Sequence, residues 1–338
     1  MDQRLSASAH GDSGHASIID VAAVAGVSKS TASRALLGQP GVSERTKEHV
    51  LETARRLGYV KDLRAQSLKS GRSDTVAILV RAVQLSYYGE LIRTVQETLS
   101  TRGFRLAVTM ADPRDDRPLD AVMSLRPEGV IIASGRVGLD DFADLSDVPV
   151  VVVGPDAVPP RLSAISDDGS GVEALIDLVV AEGHQQIGVI DFPRSRSATL
   201  GARSDAFIRA VRSHGIDPLI IPAEADGDGP DPRALRTVAS DATVVVCPSD
   251  PIMVRTWELL HSWGLDVPED ISLTGYDGLG DLARPVIGAT TWMQPVEAMG
   301  RAAAEEIMAR IGGRHEPTRR QFRGSMIRGR TLKNVGHV

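Results

Sequence analysis

The 338-residue chain is long enough for two or three domains, and only 4% of it is aromatic, so its core rests on Ala, Val, Leu and Ile, as in an α/β fold. The net charge of −6 would exclude nucleic acid if spread evenly, but residues 16–74 carry ten Lys and Arg against six Asp and Glu (net +4), leaving 28 against 38 (net −10) elsewhere. The one cysteine, Cys247, excludes an internal disulfide and a cysteine-rich zinc site. No apolar run approaches the ~20 residues of a membrane span, and no signal-peptide core opens the chain. A cytoplasmic protein is expected, with residues 1–15 as a disordered polar tail.

The predicted elements begin at Ser17. Ser17 and Asp20 have the spacing of a capping box, and Ile18, Val21, Ala22 and Ala25 recur along one face of the helix it would start. Gly26 breaks that helix at a tight turn. Ser28 caps a second helix on which Lys29, Ser30, Thr31, Ser33 and Arg34 are small or polar. Such a helix can enter a major groove with its first turn nearest the base edges. Ser43 caps a third helix, whose Val50, Leu51, Ala54 and Leu57 complete a small core before Gly58 ends it. Residues 16–61 thus read as an all-α helix-turn-helix DNA-binding domain. Residues 62–73 form a short helix that Asp62 can cap and Gly71 can end; a helix so short is marginal alone in water.

From residue 74 to about 334, apolar runs alternate with amphipathic ones. Strands are predicted at 75–80, 104–110, 129–134, 148–154, 186–192, 218–222, 243–248 and 271–277, and helices at 88–101, 117–125, 170–182, 200–214, 232–239, 250–264 and 296–311. Near-continuous Val/Ile strands alternating with helices imply parallel sheets covered on both faces. So many units suit two doubly wound lobes, with a ligand cleft between them at the carboxyl ends of the strands. Cys247, in the apolar run TVVVC, is expected to be a buried, inert thiol.

Residues 16–80 resemble the start of a LacI/GalR-family transcription regulator. The matching strings are IIDVAAVAGVSKSTASRAL (18–36), VSERTKEHVLETARRLGY (42–59) and the hinge string AQSL (65–68). VVAEGHQQIGVI (179–190), PEDISLTGYD (268–277) and QPVEAMGRAAAEEIMARI (294–311) extend the likeness to a core similar to the type I periplasmic-binding-protein fold. That fold implies three crossings between lobes, placed near residues 166, 291 and 316. The N-lobe would then hold about 74–165 and 292–315, and the C-lobe about 166–291 and 316–334.

The resemblance also implies roles. Lys29, Ser30 and Arg34 match base-reading positions, and Arg34 is the residue that can fork onto guanine. Ser17, Ser28, Thr31 and Ser33 match phosphate contacts or caps, which position without specifying. Leu68 matches a minor-groove wedge, with Lys61, Ala65 and Lys69 as further hinge contacts; hinge helices would form on DNA and melt when separated. In the core, Arg203 and Asp250 match effector-binding residues, Tyr87 and Tyr88 cleft-lining ones, and Thr199, Ser249, Asp277 and Gln294 further contacts. Five positions depart from the family pattern. Leu37 replaces an Asn, Lys61-Asp62 replaces Pro-Asn, Gly229 stands where many members have a stacking aromatic, and Gly278 replaces the second acid of YDD.

No Walker A, G-x-S-x-G, H-E-x-x-H or strand-following G-x-G-x-x-G motif occurs, so no enzyme, cofactor or metal is expected. The aspartates of ADGDGPD (225–231) lack the glutamate and spacing of a calcium loop and read as a solvated turn. The expected protein is a ligand-responsive repressor that binds a pseudo-palindromic double-stranded operator as a homodimer. Its effector is sugar-like or nucleobase-like. Without a leucine heptad tail before Val338, a tetramer is not expected. Regulation of the same architecture by a protein partner, or a small-molecule receptor without DNA function, are the alternatives.

Overall fold

The computed structural model describes residues 16–59, 73–111, 119–137, 145, 148–154, 158–225 and 227–336. The chain divides into two compact units, residues 1–73 and 74–338. The tail expected at 1–15 and all but Ser73 of the hinge expected at 62–73 lie outside the described residues.

The first unit contains α1 (Ile18–Val24), α2 (Lys29–Leu36) and α3 (Glu44–Arg56). Each is capped by a serine: the Ser17, Ser28 and Ser43 hydroxyls accept from the Asp20, Thr31 and Thr46 amides at 3.3, 3.0 and 3.2 Å. The Ser17 amide and hydroxyl donate in return to the Asp20 carboxylate at 2.7 and 2.8 Å. These bonds hold the Asp20 pKa below its ordinary value. Gly26, at φ +66°, makes the turn between α1 and α2. The buried centre is Val21, Ala22, Ala25, Ala32, Ala35, Val50 and Ala54. Mostly alanine, it lets the helices approach closely but buries little apolar area, so each cap, at roughly 1 kcal/mol, matters to this unit.

The second unit contains two six-stranded sheets. In the N-lobe, β1 (Thr75–Val80), β2 (Arg105–Met110), β3 (Gly129–Ala133), β4 (Val150–Val153), β5 (Ser163–Asp167) and β11 (Arg319–Phe322) run in the order β11-β5-β4-β3-β1-β2, every pair parallel. In the C-lobe, β6 (Ile187–Asp191), β7 (Leu219–Pro222), β8 (Val244–Val246), β9 (Ser272–Asp277), β10 (Thr290–Met293) and β12 (Ser325–Ile327) run in the order β12-β10-β9-β8-β6-β7, with β12 alone antiparallel to its neighbour.

Helices cover both faces of each sheet, as the near-continuous Val/Ile strands require. Val76, Ile78 and Val80 of β1 pack on Leu91, Val95 and Leu99 of α4 (Ser86–Ser100), together with Met299, Ala303 and Ile307. Ala77 and Leu79 point to the opposite core, with Val122 of α5 (Asp120–Ser124), as the two-residue side-chain period of a strand dictates. In the C-lobe, Ile187 and Val189 meet α6 (Ser170–Ala181) and α7 (Ala198–Ser213). Ile190, Val245 and Leu273 meet α8 (Pro232–Val238) and α9 (Asp250–Ser262). The last helix, α10 (Val296–Ile311), supplies Met299, Ala303 and Ile307 and returns the chain to the N-lobe.

The lobe boundaries differ from those expected. β11 pairs in parallel with β5, Arg320 opposite Ile165, so the third crossing lies between Phe322 and Ser325 rather than near 316. The second crossing lies between Met293 and Val296, and the first between Asp167 and Ser170. RRQF is an edge strand with its arginines exposed, so no apolar pattern marks it. The crossing chains pack closely: a Cβ on Gly324 would stand 2.4 Å from both the Met293 carbonyl and the Trp292 indole nitrogen.

Candidate functional site

Two surfaces carry chemistry, one in each unit. On the first, Lys29, Ser30 and Arg34 of α2 are exposed, and Thr31 and Ser33 are half-buried. The Arg34 Nη2 donates to Ser30 Oγ at 3.1 Å, which holds the guanidinium along the solvent face of the helix. Ser17 and Ser28 are exposed, with their hydroxyls engaged as caps. Leu37, 37% exposed, follows α2 where an Asn was expected. Lys61, Ala65, Leu68 and Lys69 lie outside the described residues.

The second surface is a cleft of about 670 Å³ between the two lobes, and all eight core residues singled out from the sequence line it. Tyr87 and Tyr88 enter from the start of α4, ring centroids 5.1 Å apart and edge to face. Thr199 and Arg203 come from α7, Ser249 and Asp250 from the start of α9, Asp277 from the end of β9, and Gln294 from the second crossing. Each follows or ends a strand at its carboxyl end, because parallel strands aim their following loops to one edge of the sheet.

Arg203 is fixed on three sides. Its Nη1 donates to the Pro248 carbonyl at 2.7 Å, its guanidinium stacks 3.9 Å from the centre of the Tyr276 ring, and Asp277 Oδ1 lies 3.6 Å away. Burial opposes its charge, but Tyr276, Asp277 and Asp167 outweigh that and raise its pKa. Asp250 accepts from the Thr291 hydroxyl at 2.7 Å and from the Gly278 amide at 2.8 Å. Asp277 accepts from the Gln294 amide nitrogen at 2.7 Å. Burial pushes both carboxyls up, Asp277 to about 7, and the neighbouring Asp250 charge adds to the rise at Asp277. Asp277 also has φ +134°, a strained backbone for a residue with a Cβ. Here the missing second acid has its explanation: at φ +66°, a Cβ on Gly278 would lie 2.2 Å from Met293 Cα.

Sequence reasoning missed a second group at the cleft. Arg81, Arg136 and Arg196 converge on one carboxylate, Asp228. Arg81 pairs with it directly, Arg196 lies 3.5 Å from Oδ1, and Arg136 lies 4.0 Å from Oδ2. The loop expected to be only a solvated turn therefore carries an ion pair across the cleft, while its Asp231 caps α8 through the Ala234 amide at 2.8 Å. A signal was present, since Arg81 and Arg136 follow β1 and β3 and Arg196 precedes α7, all at the edge where the cleft had to lie. Gly229, in the expected place of an aromatic, faces the Arg255 side chain, 2.7 Å from where its Cβ would be.

Among the described residues, no group of His, Cys, Asp or Glu is arranged to hold a metal ion, and no helix is long and apolar enough to cross a membrane. Cys247 is buried, its thiol pushed up to about 12 by burial, which leaves it unreactive.

The description "Bacterial regulatory proteins, lacI family" matches residues 17–62, and "Periplasmic binding protein-like domain" matches residues 176–332. The HTH-type transcriptional regulator MalR of Streptomyces coelicolor is 28% identical, over 89% of this chain and 91% of its own. A Lac repressor dimer bound to operator and the anti-inducer ONPF superposes with a TM-score of 0.77 at 20% identity, over 94% of this chain and 99% of that one. A complex of the transcriptional regulator CelR with cellobiose superposes with a TM-score of 0.64 at 26% identity, over 94% and 100%. These relatives are regulators rather than enzymes. With its helix-turn-helix unit and its two-lobed core, the chain belongs to the LacI family of DNA-binding transcriptional regulators.

Proposed function

We propose that this regulator is a homodimeric repressor whose affinity for a pseudo-palindromic operator is set by a small hydroxylated ligand held in the interlobe cleft. One observation carries the proposal: a cleft lined by both apolar and charged side chains is walled by both lobes, so a ligand there can couple to their closure. Arg203, Asp277 and Gln294 offer donors and acceptors to hydroxyls, and Tyr87 and Tyr88 offer a ring face. The named relatives support the class of ligand, CelR being bound to cellobiose. On the DNA side, Arg34, Lys29 and Ser30 read bases, while Ser17, Ser28, Thr31 and Ser33 meet phosphates. Leu68 acts as a wedge in the minor groove, with Ala65 and Lys69 as further hinge contacts and Lys61 on a phosphate.

A two-fold operator needs a two-fold protein. Val108 and Met110 on β2, at the edge of the N-lobe sheet, are 41% and 57% exposed, an apolar edge suited to a second copy. A protein that acts on operator DNA works in the cytoplasm.

The test is operator affinity measured with neutral sugars, nucleosides, sugar acids and sugar phosphates, in the wild type and in Arg203→Ala. One class should change the wild-type affinity by about 5- to 150-fold and leave the variant unmoved. If no class changes the affinity of a protein that binds its operator, the ligand is not a small metabolite and a protein partner sets the response.

A further inference from the structure

The three-arginine cluster at the cleft is not accounted for by a neutral ligand. Arg81 and Arg136 belong to the N-lobe, and Arg196 and Asp228 to the C-lobe. The arginine side chains are 8%, 18% and 26% exposed, whereas Asp228 is 61% exposed. Among the described residues Asp228 is the one carboxylate paired with them, so three partly buried guanidinium groups share one solvent-facing charge. Bringing cations this close out of water costs several kcal/mol unless anions or hydrogen bonds offset it. Burial, then the charges of Arg81 and Arg196, hold the Arg136 pKa below its ordinary value.

The cluster is also built rather than loose. Phe192, fully buried, lies beneath two of the guanidiniums, its ring centre 5.6 Å from Arg81 and 4.9 Å from Arg196. Arg136 Nη1 donates to the Ala111 carbonyl at 3.1 Å, and Arg196 donates to the Glu224 and Gly227 carbonyls. Arg81 and Asp228 line the cleft itself, as do Gly135 and Ser197, the neighbours of the other two arginines. The lobes touch here, the Ala198 amide donating to the Gly135 carbonyl at 2.9 Å.

We propose that Arg81, Arg136 and Arg196 form a seat for an oxyanion, so that the cleft ligand is a hydroxylated organic anion bearing a carboxylate or a phosphate, and that the Asp228 carboxylate occupies this seat until the ligand displaces it. The inference rests on the cleft being the ligand site. Arginine forks suit planar carboxylates and tetrahedral phosphates alike, and a seat with donors from both lobes makes the anion itself draw the lobes together. Asp228 then acts as an internal competitor that weakens binding of any ligand lacking a strong anion.

The test uses inorganic phosphate and acetate as probes on the full chain, with sodium chloride at matched ionic strength as the control. In Asp228→Asn, which vacates the seat, the melting temperature should fall below that of the wild type. Phosphate should restore it saturably, at concentrations at least about tenfold below those the wild type requires. Adding Arg136→Gln to that variant should weaken the response by about tenfold or more; Arg81→Gln serves if the first combination does not fold. A response to phosphate alone identifies a phosphorylated ligand, and a response to acetate as well identifies a carboxylate. If phosphate and acetate stabilise Asp228→Asn no more than chloride does, or if the arginine substitutions leave the response intact, the proposal fails. Operator binding by the same proteins in phosphate-free buffer reports separately on the regulator function, which neither outcome touches.

Discussion

At the scale of residues, the proposed base-reading role of Arg34 can be tested on one side chain. Its guanidinium is exposed on α2 and held by Ser30, so Arg34→Ala should cost about 1–3 kcal/mol of operator affinity and relax preference at one base position. Lys29→Ala should likewise weaken the preferred site more than unrelated sequences. Equal loss on every sequence for Arg34→Ala would make it a phosphate contact instead. Asp277 gives a prediction of opposite kind. Its folded pKa, about 7, stands above the unfolded value, so the folded state binds this proton more tightly. The stability it contributes is complete below the unfolded value and is lost as pH rises through about 7. Asp277→Asn should therefore gain on the wild type by on the order of 2 kcal/mol of unfolding free energy between pH 5 and 8. His184, whose pKa is lowered by burial, titrates in both proteins and cancels, whereas the Asp250 charge acts on Asp277, so the difference reports the two carboxyls together. A difference that does not move with pH contradicts this assignment.

At the scale of elements, what the sequence revealed depended on how each segment is buried. Strands covered on both faces are continuous apolar runs, and TVAILV and GVIIA stood out at once. The edge and crossing strands SAISD, TTWM, RRQF and SMI did not, because they are short and their polar side chains find partners only in the folded lobe. Ser163, for instance, donates to Glu306 at 2.6 Å, a pairing across 143 positions. The same holds for the site. Arg203 and Asp250 sit in recognisable strings, whereas the three arginines around Asp228 come from three separate loops, and their convergence is a property of the topology. Gly278 shows the reverse, a departure from the family string that the neighbouring β10 explains. Gly278→Asp should lower the melting temperature by an amount corresponding to more than about 1 kcal/mol, since both its φ and its contact with Met293 exclude a side chain. Unchanged melting would mean that β10 gives way easily.

In the whole molecule, a small, alanine-cored DNA-binding unit precedes a large two-lobed core whose cleft is proposed to hold a ligand. Coupling between the two must be reciprocal, so the operator tightens or loosens ligand binding by the same factor that the ligand changes operator affinity. All of this depends on sequence-specific recognition of two-fold DNA, which is best measured first. Selection of bound sequences from a random double-stranded pool by the purified full chain, repeated with Leu68→Ala, addresses it directly. The expected result is a pseudo-palindromic motif, with the variant losing affinity mainly for sites whose central pyrimidine–purine step unstacks easily. Enrichment of no motif, both alone and with pooled sugars, nucleosides, sugar acids and sugar phosphates present, would contradict the account.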